Sequence, residues 1–141
     1  MKKLVNGQLV DLTAEEISAK QAEEALAKAQ QISTHLNTFS RSYSEGKLTH
    51  SGFSEDFTKD QRYEVKQTID FLERLGENAP ETITWFGTYG DQTVSLETLI
   101  GWMMAGGLRR QKRFNVVSAI DPANYTELED LEAAFVAAME A

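Results

Sequence analysis

The chain has 141 residues, of which 41% are hydrophobic and 26% charged, a composition typical of one folded domain rather than of a disordered chain. Its net charge of −8 argues against general nucleic-acid binding, and the lack of cysteine excludes disulfides and thiolate metal sites. With only His35 and His50 as imidazoles, no zinc site is expected. No apolar run approaches the roughly 20 residues that span a bilayer, and the N-terminal residues turn polar too early for a signal peptide. We therefore expect a soluble protein made in a cytoplasm.

The N-terminal residues predict a hairpin over 3–10 and a helix over 13–36. Asn6 and Gly7 separate two short apolar pieces, and both accept the positive φ angles of a type I′ turn. Thr13 and Glu16 form a capping-box pattern at the start of the helix. The apolar stripe of this helix is mostly alanine and buries little area. The stripe consists of Ile17, Ala22, Ala25, Leu26, Ala29, Ile32 and Leu36.

Two interpretations of this helix stay open: a solvated surface helix, or a protruding arm that reaches another subunit. We divide the chain into a hairpin and helical arm, residues 1–36, and a compact domain, residues 37–141. The candidate partner contacts in the arm are Ile17, Leu26, Ile32 and Leu36.

The next two segments predict a hairpin and a helix. Between residues 39 and 57 aromatic side chains recur among polar ones, and Ser44-Glu45-Gly46-Lys47 is typical of a turn between short strands. A helix over 58–75 follows, with Thr58 and Gln61 as its N-terminal cap and Gly76 at its end.

The stretch from Thr82 to Ile120 predicts the folding core. Residues 82–94 are rich in β-branched and aromatic side chains and turn at Gly90-Asp91, as a strand pair requires. A helix over 95–120 begins at Ser95, a good N-cap, and contains Gly106-Gly107, which indicates a kink or the close approach of another element. A last helix over 126–139 begins at a capping box of Thr126 and Glu129. The side chains expected to be buried are Ile69, Leu72, Trp85, Leu99, Ile100, Met103, Leu131 and Phe135.

These elements predict an α+β fold, mostly helical, in which a small antiparallel sheet packs against three helices. The sequence shows no pattern of known catalysis. There is no Gly-x-Ser-x-Gly turn and no phosphate-binding glycine loop. Four pairs of adjacent carboxylates are interpreted as solvated surface, because neighbours on a helix do not face each other. The pairs are Glu15-Glu16, Glu23-Glu24, Glu55-Asp56 and Glu129-Asp130. We expect no enzyme activity, no catalytic residue, no cofactor and no metal site.

A basic cluster interrupts this acidic chain at Arg109, Arg110, Lys112 and Arg113. One interpretation is structural: these residues lie late in a long helix and pair with acidic neighbours, and the acidic segment 121–141 packs beside them. The other interpretation is a contact patch for an acidic partner surface.

Short motifs in two parts of the chain resemble phage proteins. The opening, with its Asn6-Gly7 hairpin and the Thr13-Ala-Glu-Glu-Ile17 helix start, is similar to many small phage tail proteins. The C-terminal part resembles a domain of unknown function of phage tail-fibre and tail-fibre-assembly proteins. The motifs of that part are Trp85, Gly90-Asp91, Val94-Ser95-Leu96 and Arg113-Phe114. The resemblance covers about residues 1–20 and 53–135.

The resemblance implies a structural or assembly protein of the virion tail, fibre or baseplate, made in the host cytoplasm. Such a protein acts by contacts with other tail proteins in a homo- or hetero-oligomer, without nucleic acid, membrane or small-molecule substrate.

Two alternatives come from other classes of protein. A small acidic phage protein could be an anti-defence inhibitor that mimics nucleic acid and binds a host protein, which requires a continuous acidic face. A hydrolase would require a deep pocket with perturbed carboxylates.

Overall fold

The computed structural model describes residues 1–141 and consists of four helices and three two-stranded antiparallel ribbons. The predicted class, α+β and mostly helical, is confirmed. Short 3₁₀ turns lie at Gly76–Asn78 and Pro122–Asn124. The elements are β1 (Lys2–Val5), β2 (Gln8–Asp11), α1 (Ala14–Glu45), β3 (Lys47–His50), β4 (Phe53–Asp56), α2 (Lys59–Leu75), β5 (Ile83–Gly87), β6 (Gly90–Val94), α3 (Leu96–Ala119) and α4 (Leu128–Glu140).

The N-terminal hairpin and the start of α1 follow the sequence prediction. Asn6 and Gly7 have φ angles of 50° and 79°, as a type I′ turn requires. The backbone N–H of Glu16 donates to Thr13 Oγ1 at 3.1 Å, and the N–H of Thr13 donates to Glu16 Oε1 at 3.4 Å. The capping box is therefore complete, and it fixes where α1 begins.

Helix α1 is longer than the sequence predicted, because it continues to Glu45 instead of ending near residue 36. Phe39 and Tyr43 extend the helical spacing of Ile32 and Leu36, and their rings meet the ring of Phe135 edge-on at 5.8 and 5.5 Å. Packing against α4 therefore outweighs the polar composition of this segment. The boundary at residue 36 falls inside a continuous helix.

The turn between the two strands of the second ribbon does not lie at residues 44–47, as predicted. It lies at residues 51 and 52, after β3. Ser51 and Gly52 have φ angles of 49° and 82° and join β3 to β4, whereas Ser44 and Glu45 are the last residues of α1. In the third ribbon the turn is likewise shifted, to Thr88 and Tyr89 between the paired residues Gly87 and Gly90.

One core joins β4, α2, β5, β6 and α3. Trp102 and Leu99 of α3 are fully buried there, and Trp102 Nε1 donates to the carbonyl oxygen of Leu48 at 3.0 Å. Leu72 and Trp85 are also buried as expected, whereas Ile69, Ile100 and Met103 are only half-buried. The members of this first core are Phe53, Phe57, Val65, Leu72, Trp85, Val94, Leu99 and Trp102.

A second core joins α1 to α4 and the last turns of α3. Its members are Ile32, Leu36, Leu131, Phe135 and Met139. The start of α4 differs from the prediction. Its N-cap is Glu127, which makes no side-chain capping bond, so the capping box of Thr126 and Glu129 does not form. Helix α4 is instead held in place by burial of Leu131 and Phe135.

Candidate interaction surfaces

The first ribbon and the N-terminal half of α1 form an arm, which we define as residues 1–31. Leu4 and Leu9 face each other across the ribbon, and each is 69% exposed. Leu26, on the helical part, is 62% exposed. The ribbon is tied to α1 by an ion pair of Lys3 with Glu16 at 2.5 Å. The arm therefore presents large apolar side chains to solvent, and neither core covers them.

The four contact candidates of the arm separate into two groups. Leu26 is exposed and Ile17 is half-buried, so both can meet another molecule. Ile32 and Leu36 are 6% and 2% exposed and belong to the second core, which withdraws them from any contact surface. The helical spacing alone could not distinguish these groups, because the covering helix α4 is distant in sequence.

A small cleft of about 250 Å³ lies where the arm meets the second core. Ala25, Ala29 and Ile32 of α1 line one side, and Pro122 and Tyr125 line the other. Helix α4 covers one face of the C-terminal half of α1. Toward the N-terminus, the same face of α1 continues with alanine side chains.

The basic cluster on α3 is mainly structural. Arg109 donates from Nη2 to the carbonyl oxygens of Ser44 at 2.7 Å and Gly46 at 2.8 Å, and from Nη1 to that of Lys47 at 3.1 Å. Arg113 donates to Ser44 Oγ at 3.1 Å. The last carbonyl groups of a helix lack partners within it, and α1 has no basic residue in its own last turn. Arg109 therefore caps α1 from a neighbouring helix.

The predicted pairing of this cluster with acidic neighbours is wrong. No Asp or Glu carboxylate lies within 4 Å of its charged nitrogens, and the acidic segment 121–141 contributes only the main-chain oxygen of Ala141, which accepts from Lys112 Nζ at 2.7 Å. Arg110 lies over the ring of Phe114 at 5.6 Å and is exposed. Burial lowers the pKa of Arg109, and burial together with the nearby Arg110 and Arg41 lowers that of Arg113. Of the four, Arg110 is the residue most available to a partner.

Glu55 is buried, although the pattern of adjacent carboxylates predicted it on the solvated surface. Its side chain is fully buried, so the interpretation of Glu55-Asp56 as a solvated pair is wrong for Glu55. Oε2 accepts from Trp85 Nε1 at 3.0 Å and from the backbone N–H of Thr88 at 3.1 Å, and Oε1 accepts from the N–H of Asp56 at 2.9 Å. The alternation of Phe53 and Glu55 in β4 with Phe57 directly after it was the available signal, since it places all three on the inward face.

The role of the Glu55 carboxylate is structural. Burial alone raises its pKa, but the bonds from Thr88, Trp85 and Asp56 outweigh burial and lower the pKa below the ordinary 4.5. A carboxylate that stays ionised is unsuited to act as a general acid near neutral pH. Glu55 instead fixes the β5–β6 turn against β4.

The two histidines lie on different elements, His35 on α1 and His50 at the end of β3. His35 Nε2 lies 2.7 Å from Glu132 Oε1 and links α1 to α4, and the ring of His50 packs over Gly101. No group of three or more His, Cys, Asp or Glu side chains is placed to hold a metal ion. None of the helices combines the length and apolar character needed to cross a membrane.

In comparisons with known proteins, no family model, no curated protein and no solved structure matches this chain. The likeness to phage tail proteins therefore rests on the short motifs of the sequence alone.

Proposed function

We propose that this chain is a phage tail-associated structural or assembly protein that acts by protein–protein contact, with the arm as its main contact surface. The observation that carries the proposal is the exposure of Leu4, Leu9 and Leu26 on an element that neither core covers. The motifs that resemble phage tail proteins supply the biological setting, which is the virion tail.

The arm is poorly stabilised by its own chain. A two-stranded ribbon is marginally stable in water, and an alanine-rich helix surface buries little area. The helical segment from Ala14 to Ile32 rises about 27 Å at 1.5 Å per residue, so the ribbon lies well beyond the second core. A partner that covers the ribbon and the exposed leucine of α1 would complete the packing that this chain leaves open.

The charge pattern favours this proposal over mimicry of nucleic acid. A mimic needs a continuous acidic face, but Lys20 and Lys28 interrupt the glutamates of the arm. The exposed Arg110 interrupts the acidic surface on α3. A host-protein inhibitor is the alternative class, and mass spectrometry of tail fractions separates the two.

The proposal is tested by quantitative mass spectrometry of purified particles and of tail intermediates from a phage that encodes this chain. We expect the chain at a fixed ratio to the tail proteins in at least one of these fractions. Recovery of the chain only with host proteins, and in neither tail fraction, would refute the proposal and favour the inhibitor.

A further inference from the structure

The outer edge of β5 is free for strand pairing. β5 has β6 as its only strand partner, and its other edge borders an open groove of about 380 Å³ beside α2. The four consecutive residues 83–86 line this groove. Successive side chains of a strand point to opposite faces of the sheet. Four consecutive residues can therefore line one groove only if the groove runs along the edge of the strand. Every second residue of that edge directs an unpaired N–H and C=O outward.

The groove is aromatic at its rim and acidic in charge. Tyr63 of α2 and Phe86 of β5 both line the groove, and they are 64% and 77% exposed. Glu64 is the only charged residue among the lining side chains. The groove therefore suits an extended segment that carries aliphatic side chains and positive charge.

The N-terminal ribbon of the same chain has these properties. Its exposed leucines, Leu4 and Leu9, face each other, and neither β1 nor β2 has a second strand partner. Lys2 lies on the same face of the ribbon as the two leucines, is 62% exposed and stands 3.9 Å from Asp11, whereas Lys3 points to the opposite face and pairs with Glu16. β1 has four residues and β5 has five, so the two edges match in length.

We propose that the N-terminal ribbon of one copy binds the α2–β5 groove of a second copy. β1 pairs with the free edge of β5, the two leucines lie against Tyr63 and Phe86, and Lys2 lies near Glu64. This inference rests on the proposed function, in which the arm is the contact surface, and it names the partner and the acceptor site. The donor and acceptor surfaces differ, so the contact is head-to-tail and each copy can bind two others.

The experiment measures the mass of the full-length chain by light scattering and sedimentation over a range of concentrations. The donor variant carries Leu4→Lys and Leu9→Lys, and the acceptor variant carries Tyr63→Lys and Phe86→Lys. All four positions are highly exposed, so the variants should keep the fold, which circular dichroism verifies. The matched control carries Met104→Lys and Leu108→Lys on the exposed face of α3.

We expect the mass of the wild-type chain to rise with concentration beyond that of a dimer. Each of the two variants should weaken self-association more than about tenfold, and the control should not. An equimolar mixture of donor and acceptor variants should form a one-to-one heterodimer and grow no further, because it holds one intact ribbon for each intact groove.

Four results would overturn the inference. The first two are a wild-type chain that stays monomeric at the highest soluble concentration and an acceptor variant that self-associates at wild-type strength. The other two are a mixture of the two variants that stays monomeric and a control variant that loses association. A monomeric wild-type chain that still appears in tail fractions would leave the proposed function standing, with a different tail protein on the arm. Self-association through the ribbon and the groove, in a chain that never appears in tail fractions, would support the inference and refute the proposed function.

Discussion

The ring of Phe57 lies directly against the backbone of Gly106. A Cβ atom at residue 106 would be 2.0 Å from Phe57 Cε2, which no real contact permits. The same ring packs on Trp102, one turn earlier in α3, with centroids 4.9 Å apart. The glycine pair in α3 therefore marks the close approach of another element, and only its first member is needed for that contact.

The two glycines should respond oppositely to alanine. Gly106→Ala forces the Phe57 ring away and should cost about 1–3 kcal/mol of unfolding free energy by overpacking. Gly107 has open space where a Cβ would stand, so Gly107→Ala should gain up to about 1 kcal/mol from helix propensity. Urea unfolding of both variants measures the difference, and an equal gain in both would contradict the close contact.

Burial on α3 can be tested with two leucines of the same helix. Leu99 is fully buried in the first core, so Leu99→Ala should cost roughly 2–5 kcal/mol. Leu108 is 72% exposed, and Leu108→Ala should change stability by less than about 0.5 kcal/mol. Similar losses in thermal and urea unfolding would show that the inward face of α3 is assigned incorrectly.

Capping of α1 by Arg109 predicts a specific loss of stability. Arg109→Met keeps the aliphatic stem but removes the Arg109 bonds to three carbonyl oxygens, of which that of Gly46 still accepts from the N–H of Phe57, and this should cost about 1.5–3 kcal/mol. Arg110→Met removes an exposed charge from the same cluster and should stay within about 0.5 kcal/mol. Hydrogen exchange should show faster opening of the last turn of α1 only in the Arg109 variant, and unchanged exchange there would refute the cap.

Glu55 predicts a pH-dependent contribution to stability. Its pKa in the folded chain lies below 4.5, so in acid the unfolded chain binds more protons. Its stabilising effect is therefore complete above about pH 4.5 and is lost as the pH falls through the folded pKa. At pH 7, Glu55→Gln should cost about 1–3 kcal/mol, since the amide cannot accept from all three donors.

The test for Glu55 is the difference in unfolding free energy between wild type and Glu55→Gln from pH 7 down to about pH 3. The subtraction cancels the contribution of the other carboxylates to the pH dependence of stability. One of these is Glu16, whose pKa is lowered chiefly by its bond with Lys3. We expect the difference to shrink on the acidic side. A difference that grows there would mean that Glu55 is protonated in the folded chain.

The parts of the fold that depend on neighbours in sequence were predictable from the sequence. The Asn6-Gly7 turn, the Thr13 cap and the Ser95 cap each involve residues within four positions of one another, and all three form as expected. The third capping box failed because the packing of Leu131 and Phe135 decides where α4 lies.

The features that depend on distant residues were not predictable in the same way. α1 extends to Glu45 because α4, nearly 90 residues later, covers Phe39 and Tyr43. The partners of Arg109 lie more than 60 positions away, at the end of α1. Of the proposed contact residues, Leu26 is exposed as predicted, whereas Ile32 and Leu36 share its helical pattern but are covered by α4.

The structure also changes where the arm can be separated from the rest of the chain. Removing residues 1–36 would take Ile32 and Leu36 out of the second core, so the cut must fall earlier. Deletion of residues 1–24 keeps both cores and removes the ribbon and the first turns of α1.

The most direct test of the arm as a contact surface is complementation of a phage that lacks this gene with the chain deleted of residues 1–24. Formation of complete tails is counted by electron microscopy. We expect the truncated chain to melt cooperatively near the wild-type temperature and yet to yield no complete tails, while the full-length chain restores them. Complete tails at the wild-type level from the folded truncated chain would contradict the account.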